Sequence, residues 1–177
     1  PDADMIDEAA VEKAANMIAH SKKPFVFVGG GVVLANASVE LKRFVRKIDA
    51  PVADSLMGKG AFDGTDDYYV GMLGMHGRKV SNDYVNESDL LIAIGIRFSD
   101  RTTGRLDSFV PDTKVIHIDI DPAEIGKNIE VDLPIVGDAK IILSSLIEEI
   151  KSSNYKSNSL EWLEGIKAYK KSAVPRV

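Results

Sequence analysis

Six short segments of this sequence combine residue types that bind phosphates and sugar hydroxyls. Glycines let a ligand approach the backbone closely, arginines neutralise a pyrophosphate, and acidic side chains accept hydrogen bonds from ribose hydroxyls or an adenine amine. The segments are residues 29–31, 55–57, 73–77, 95–101, 119–121 and 137–138. Because ligands in doubly wound folds bind outside the carboxyl ends of the strands, segments that follow strands predict a cradle for a dinucleotide.

Each feature of this cradle also has a purely structural explanation. A glycine triplet after a strand is often only a tight turn, and residues 29–31 lack the G-x-G-x-x-G spacing. Arg97 and Arg101 could be surface ion-pair partners of Asp100 or Asp107, and an exposed pair is worth only about 0–1 kcal/mol. Taken singly, these segments leave both explanations open.

The remaining residues indicate no other chemistry. His20, His76 and His117 lie in different predicted elements and do not suggest a metal cluster. A calcium-loop outline that starts at Asp119 fails because Ala123 stands where an oxygen ligand is required. The sequence has no cysteine, nucleophile elbow, P-loop or H-E-x-x-H motif, so we predict neither a catalytic residue nor a metal site.

The elements that would position these segments follow from the spacing of apolar residues. Helical spacing predicts helices, and continuous apolar runs predict strands that are buried on both faces. The predicted helices are 5–20 with Asp4 as N-cap, 41–48, 78–86 and 139–150, and the predicted strands are 24–28, 51–53, 69–73 at an edge, 90–94, 114–118 and 133–136. This alternation predicts an α/β fold, a doubly wound, Rossmann-like parallel sheet of about six strands with helices on both faces.

The sequence changes character after Lys151. A polar linker precedes an apolar stripe of Trp162, Leu163, Ile166 and Tyr169, which one helix cannot bury alone. The stripe must dock either on the domain or on something beyond this chain, and we expect it to be interdomain surface. The predicted organisation is a domain at 1–151, followed at 152–177 by a linker and an amphipathic helix that lead to a further domain.

Composition and charge exclude several classes of protein. With 45% hydrophobic and 28% charged residues, the 177-residue chain is typical of one folded domain. Its net charge of −5 repels nucleic acids and anionic membranes, and it has no apolar stretch or signal that would indicate a membrane span or secretion. The lack of cysteine fits a reducing compartment, so we expect a cytoplasmic location. Because the chain begins with Pro1, we expect it to be a segment of a longer protein.

Five strings of this sequence resemble, in order and spacing, those of acetolactate synthase large catalytic subunits. They are VGGGV at 28–32, LMGKG at 56–60, LGMHG at 73–77, G-x-RF-x-DR-x-x-G at 95–104 and HIDIDPAEIGKN at 117–128. Together they are far more specific than any one of them. The resemblance covers roughly residues 1–150 and is to the middle domain of that thiamine-dependent family.

The resemblance implies a role in a larger enzyme. That family condenses two pyruvates, or pyruvate and 2-oxobutyrate, with loss of carbon dioxide in branched-chain amino-acid synthesis, and it uses thiamine diphosphate, magnesium and FAD. The catalytic glutamate and the metal-diphosphate motif belong to the other domains, so this chain alone is expected to be inactive. The implied partners are the flanking domains of the subunit, further copies of it in a homo-oligomer, and a small regulatory subunit.

In this family the middle domain holds FAD, which has a structural role and takes no net redox part. By match to the family strings, the expected FAD contacts are Gly29, Gly30, Gly31, Ser55, Leu56, Met57, Leu73, Gly74, Met75, His76, Gly95, Arg97, Ser99, Arg101, Asp119, Ile120, Glu124, Asp138 and Ala139. Ser99 departs from the commonest form of the family, which has Asp there, and this change is expected to weaken FAD binding.

The sequence leaves two rival interpretations. A related thiamine-dependent decarboxylase could use this fold as a spacer without a nucleotide, although Arg97, Arg101 and the LGMHG string argue against that. A separate domain that binds NAD or ADP should carry its own nucleophile or hydride partner, and the sequence shows none.

Overall fold

The computed structural model describes residues 6–73, 79–97, 113–127 and 129–172. It contains a six-stranded sheet in which every neighbouring pair of strands is parallel. The strands are β1 Pro24–Val28, β2 Val52–Asp54, β3 Tyr69–Met72, β4 Leu90–Ile94, β5 Lys114–Asp119 and β6 Leu133–Val136. Their order across the sheet is β3-β2-β1-β4-β5-β6, so the predicted doubly wound sheet is confirmed and β3 is an edge strand as expected.

Helices connect these strands on both sides of the sheet. They are α1 Glu8–His20, α2 Gly30–Leu34, α3 Ser38–Ile48, α4 Lys79–Glu87, α5 Ala139–Ser152 and α6 Leu160–Ser172, and a 3-10 turn spans Leu56–Gly58. The four helices predicted with bounds and the amphipathic helix predicted within 152–177 are all present. The short helix α2 was not predicted and takes the place of the tight turn that the glycine triplet suggested.

Helix α1 begins later than its apolar spacing predicts. Asp7 is its N-cap, because the carboxylate oxygen Oδ1 of this residue accepts a hydrogen bond from Ala10 N at 3.1 Å. Asp4, the predicted cap, lies outside the described residues. The prediction was wrong because the sequence offers two aspartates before the apolar face, and the one nearer that face caps the helix.

The two faces of the sheet bury separate apolar clusters. Along β1, Val26 and Val28 point into a cluster with α1, α3 and α5, whereas Phe25 and Phe27 point into a second cluster with α4 and α6. This alternation follows from the two-residue period of a strand. Every residue of β1 and β4 is buried, as their continuous apolar runs predict.

Helix α6 packs against the sheet of its own domain. Leu163 and Ile166 are each 1% exposed, and Trp162 Nε1 donates a hydrogen bond to Pro24 O at 2.9 Å. Ser159, which precedes the helix, donates through Oγ to Ile48 O at 2.6 Å. The expectation that the apolar stripe is interdomain surface is therefore wrong for its two aliphatic residues, since both are buried within this domain and Ile166 belongs to the second apolar cluster. The domain boundary after Lys151 stays a prediction.

The amino-terminal edge of the sheet is closed by hydrogen bonds to Asp89. Its carboxylate accepts from Ser21 Oγ at 2.5 Å and from the backbone nitrogens of Lys22 and Lys23 at 2.9 and 3.1 Å. These bonds hold the turn between α1 and β1 against the start of β4.

Among the described helices, none combines the length and the apolar character that crossing a bilayer requires.

Candidate functional site

The strand order reverses between β1 and β4, which are neighbours in the sheet. From β1 the chain continues to β2 on one side, and from β4 it continues to β5 on the other side. Val28 pairs with Ile94, so both strands end at the same level, and Gly29 and Gly95 follow them directly. In this strand order a crevice opens at the reversal, and dinucleotides bind there.

Glycines let two backbones meet at this point. Gly31 N donates to Gly95 O at 3.0 Å, which joins the first turn of α2 to the end of β4. A Cβ on Gly31 would lie only 2.6 Å from Gly95 Cα, and Gly95 itself has a φ of +62°, which side chains rarely adopt. The fold therefore requires these two glycines whether or not a ligand is present.

Beside the crevice, the 3-10 turn presents an apolar surface. Ser55 caps the turn by accepting a hydrogen bond from Gly58 N at 3.2 Å. Leu56 and Met57 are 56% and 69% exposed, and Leu34 of the neighbouring helix α2 is 90% exposed. Exposed apolar side chains that cluster in this way mark a surface that contacts a ligand or another protein segment. The sequence analysis did not identify Leu34, although the apolar run at 32–34 directly after the glycines could have indicated an apolar surface here.

Asp119 lies at the end of β5, two strands from β1. It is 8% exposed, and its Oδ1 accepts from Asp121 N at 2.9 Å. Burial raises the pKa of this carboxyl, against the opposing effect of that hydrogen bond. The next residue, Ile120, is exposed and adds to the apolar surface of this edge.

His117 lies on β5 below Asp119 and is fully buried. Its Nε2 donates to Ile96 O at 3.1 Å and is 3.9 Å from Asp119 Oδ2. Burial lowers the pKa of His117, so the imidazole is neutral at neutral pH and the contact with Asp119 is not an ion pair. Within the described ranges, no three histidine or acidic side chains converge into a possible metal site.

Glu124 follows β5 and has a buried carboxylate oxygen. Oε2 of this side chain has no hydrogen-bond partner among the described residues. Its charge adds to the effect of burial in raising the pKa of Asp119, so the two carboxyls interact electrostatically. A buried acceptor without a donor is unusual in a folded protein, so this oxygen is suited to a donor that comes from outside the described residues.

The residues after β6 already have structural roles. Asp138 is the N-cap of α5, with Oδ1 accepting from Ile141 N at 3.2 Å. Ala139 is buried in the first apolar cluster. Both lie at the edge where the sequence predicted them, but their side chains are occupied by the fold.

The structure thus brings most of the described predicted contacts to one edge of the sheet. The triplet 29–31, Ser55 and Gly95 directly follow strands, Asp119 is the last residue of β5, and Asp138 lies two residues after the end of β6. Leu73 follows β3 at the far end of the sheet and is buried, and Arg97 is exposed in the segment after β4. The other predicted contacts, Gly74, Met75, His76, Ser99 and Arg101, lie outside the described residues.

Comparison with known proteins agrees with this architecture. Residues 11–146 match the family model described as thiamine pyrophosphate enzyme, central domain. The chain is 47% identical over 173 residues to a probable acetolactate synthase large subunit of Methanococcus aeolicus, which covers 93% of this chain and 29% of that protein. It is 49% identical over 165 residues to the corresponding protein of Methanocaldococcus jannaschii, with 93% and 28% covered.

A bacterial relative shows similar coverage. The acetolactate synthase large subunit of Corynebacterium glutamicum is 46% identical over 161 residues, which are 90% of this chain and 26% of that protein. The chain therefore spans less than a third of the length of the curated relatives that it matches. The resemblance found in the sequence is confirmed: this chain belongs to the family of thiamine pyrophosphate enzyme central domains, and it corresponds to that domain of acetolactate synthase large subunits.

Proposed function

We propose that this chain holds FAD as the middle domain of an acetolactate synthase large subunit. The observation that carries the proposal is the buried, unpartnered Oε2 of Glu124, close to Asp119 at the carboxyl edge of the sheet. Hydroxyl and amine groups of an adenosine are donors that would satisfy such acceptors. The fit is supported by the strand order, since a crevice at this reversal suits a dinucleotide.

Different parts of the edge suit different parts of FAD. Asp119 and Glu124 would accept hydrogen bonds from the adenosine half, and Arg97, an exposed residue, would pair with the pyrophosphate. Leu56 and Met57 would contact the apolar flavin ring. In this proposal FAD contributes structure and takes no net redox part in the condensation.

The reaction itself belongs to the whole subunit. In this proposal the subunit condenses two pyruvates, or pyruvate and 2-oxobutyrate, with loss of carbon dioxide, and thiamine diphosphate and magnesium bind in the flanking domains. This chain contributes a rigid middle domain and is inactive alone. Its partners are those flanking domains, further copies of the subunit and a small regulatory subunit.

A spacer domain without a nucleotide is the second candidate. It is favoured by the structural roles of Gly31, Gly95 and Asp138, which the fold requires without any ligand. A spacer does not explain why Glu124 keeps a buried oxygen without a donor. The two candidates therefore differ most clearly in whether the adenosine half of a dinucleotide binds to this domain.

A ligand series tests the proposal. Calorimetric titrations of the 177-residue chain with FAD, ADP, NAD and FMN separate the adenosine half from the flavin half. We expect FAD and ADP to bind weakly, because the flavin ring has only part of its surroundings in this chain, and we expect FMN not to bind. If neither FAD nor ADP binds at millimolar concentration, the spacer is favoured, and if NAD binds more tightly than FAD, the flavin assignment is wrong.

A further inference from the structure

Another cavity, of about 600 Å³, lies on the β3 side of the strand reversal. Its walls come from the end of β2, the loop after the 3-10 turn, and β3. None of the residues that line it is among those assigned to FAD. It therefore needs an explanation of its own.

A buried carboxyl group, that of Asp54, forms one wall of this cavity. Asp54 is 1% exposed, and Tyr69 Oη donates a hydrogen bond to its Oδ1 at 2.9 Å. Among the described residues, no other side chain donates to this carboxyl. Burial raises the pKa of Asp54, against the opposing effects of the Tyr69 hydrogen bond, the nearby Lys59 ammonium and a hydrogen bond from its own backbone. A buried carboxylate would still gain from a further donor.

The rest of the lining is apolar with one further carboxylate. The ring of Tyr69 and the side chains of Phe62 and Met72 supply apolar surface. Asp63 accepts hydrogen bonds from Thr65 N and Oγ1 at 2.8 and 2.7 Å, and these bonds lower its pKa and keep it ionised. With Asp54 ionised, the lining residues carry two carboxylates and one ammonium, that of Lys59, and Lys42 outside the lining also acts on Asp63. Negative charge beside an aromatic ring suits an organic cation.

The cavity has unfilled space beside its two glycines. A Cβ on Gly60 would meet nothing within 4 Å, and one on Gly64 would meet only Tyr69 Cε2 at 3.9 Å. The contrast with Gly31 and Gly95 is clear, since a Cβ there would collide with backbone. The space beside Gly64 is therefore not needed for packing and is available to a ligand.

We propose that this cavity binds a small organic molecule with a primary ammonium group, which donates to Asp54 while its apolar part lies against the Tyr69 ring. The ammonium supplies Asp54 with a donor in addition to Tyr69 and a positive charge in addition to that of Lys59. The apolar part displaces water from Phe62 and Met72. This proposal does not rest on FAD binding.

The test uses n-butylammonium as the probe and n-butanol as its uncharged counterpart. NMR titration of the 177-residue chain should show saturable binding of n-butylammonium, and binding of n-butanol at least about tenfold weaker. A Cβ at Gly64 meets only the Tyr69 ring at 3.9 Å, so Gly64→Leu should occupy part of the cavity and weaken n-butylammonium binding at least about tenfold. Asp54→Asn keeps the side-chain size and should weaken it similarly.

Gly165→Leu is the matched control, because a Cβ at Gly165 also meets nothing within 4 Å and this residue lies on α6, away from the lining. Its affinity for n-butylammonium should equal that of the unaltered chain. Equal binding of n-butanol and n-butylammonium would overturn the role of the ammonium group. Unaltered n-butylammonium binding by Gly64→Leu, or no saturable binding by the starting chain, would overturn the site.

Discussion

Gly31 and Gly95 meet backbone to backbone where the strand order reverses, with Gly31 N donating to Gly95 O at 3.0 Å. This contact holds α2 against the end of β4 and shapes the floor of the crevice in which we place FAD. The glycine triplet at 29–31, whose sequence suggests contact with a ligand's phosphates, therefore also allows two backbone segments to pack closely. Both roles are compatible, because the packed glycines bring backbone to the surface of the crevice.

Replacing Gly31 by alanine should destabilise the fold. The added Cβ would lie 2.6 Å from Gly95 Cα, and backbone on both sides leaves little room to move. We expect the free energy of unfolding, measured in urea, to fall by about 1–3 kcal/mol, as for other overpacked sites. Gly165→Ala is the control, and it should leave stability equal or higher, since alanine favours a helix. Equal stability of Gly31→Ala and the unaltered chain would show that this close contact is not needed.

Replacing Ile166 by alanine tests the docking of α6. Ile166 is 1% exposed in the second apolar cluster, so its truncation should lower the free energy of unfolding by about 2–4 kcal/mol. Leu160 of the same helix is 55% exposed, and Leu160→Ala should change stability much less. Chemical denaturation of the two variants measures the difference. If Ile166→Ala and Leu160→Ala changed the free energy of unfolding by similarly small amounts, α6 would not pack on this domain in solution.

Asp54 should make stability depend on pH. Burial raises its pKa in the folded chain above the ordinary 3.8, so the folded state binds a proton that the unfolded state releases. Its contribution is therefore most favourable below that ordinary value and is lost as the pH rises through the folded pKa. We expect Asp54→Asn to gain stability relative to the unaltered chain as the pH increases from about 4 towards neutrality. Urea unfolding across this range would show it, and a constant difference between the two proteins would contradict it.

Replacing Arg97 by alanine should weaken FAD binding. The guanidinium of this exposed residue after β4 is the group that we assign to the pyrophosphate, and a charge-assisted hydrogen bond is worth about 1.5–3 kcal/mol. The affinity for FAD should fall about ten- to a hundredfold in a calorimetric titration. Arg43→Ala removes an exposed arginine from α3 and should leave the affinity unaltered. If Arg97→Ala binds FAD as tightly as the starting chain, the pyrophosphate lies elsewhere.

The sheet was predictable because its strands are continuous apolar runs. All five residues of β1 and of β4 are buried, which is what such runs indicate. The order of the strands was not predictable, since it depends on packing between distant segments. Helix α2 was missed because two of its five residues are glycines and two are β-branched, so local propensity argues against a helix.

The candidate site was predictable in outline only. Acidic residues and glycines after strands indicated the correct edge, because parallel strands place their carboxyl ends together. The N-cap role of Asp138 and the unpartnered oxygen of Glu124 depend on side-chain geometry, which the residue types do not reveal. The cavity at Asp54 was missed for the same reason, since Tyr69 meets this carboxyl only once β2 and β3 have paired.

The most direct test of the FAD assignment is a titration of Glu124→Gln with FAD, beside Glu130→Gln as an exposed control from the same connection. Glutamine keeps the size of the side chain but removes the charge that a ribose hydroxyl or adenine amine would prefer. Calorimetry should show saturable FAD binding by the unaltered chain and by Glu130→Gln, and about tenfold or greater weakening for Glu124→Gln. FAD binding that is equal in all three proteins, or absent from the unaltered chain at millimolar FAD, would contradict the account.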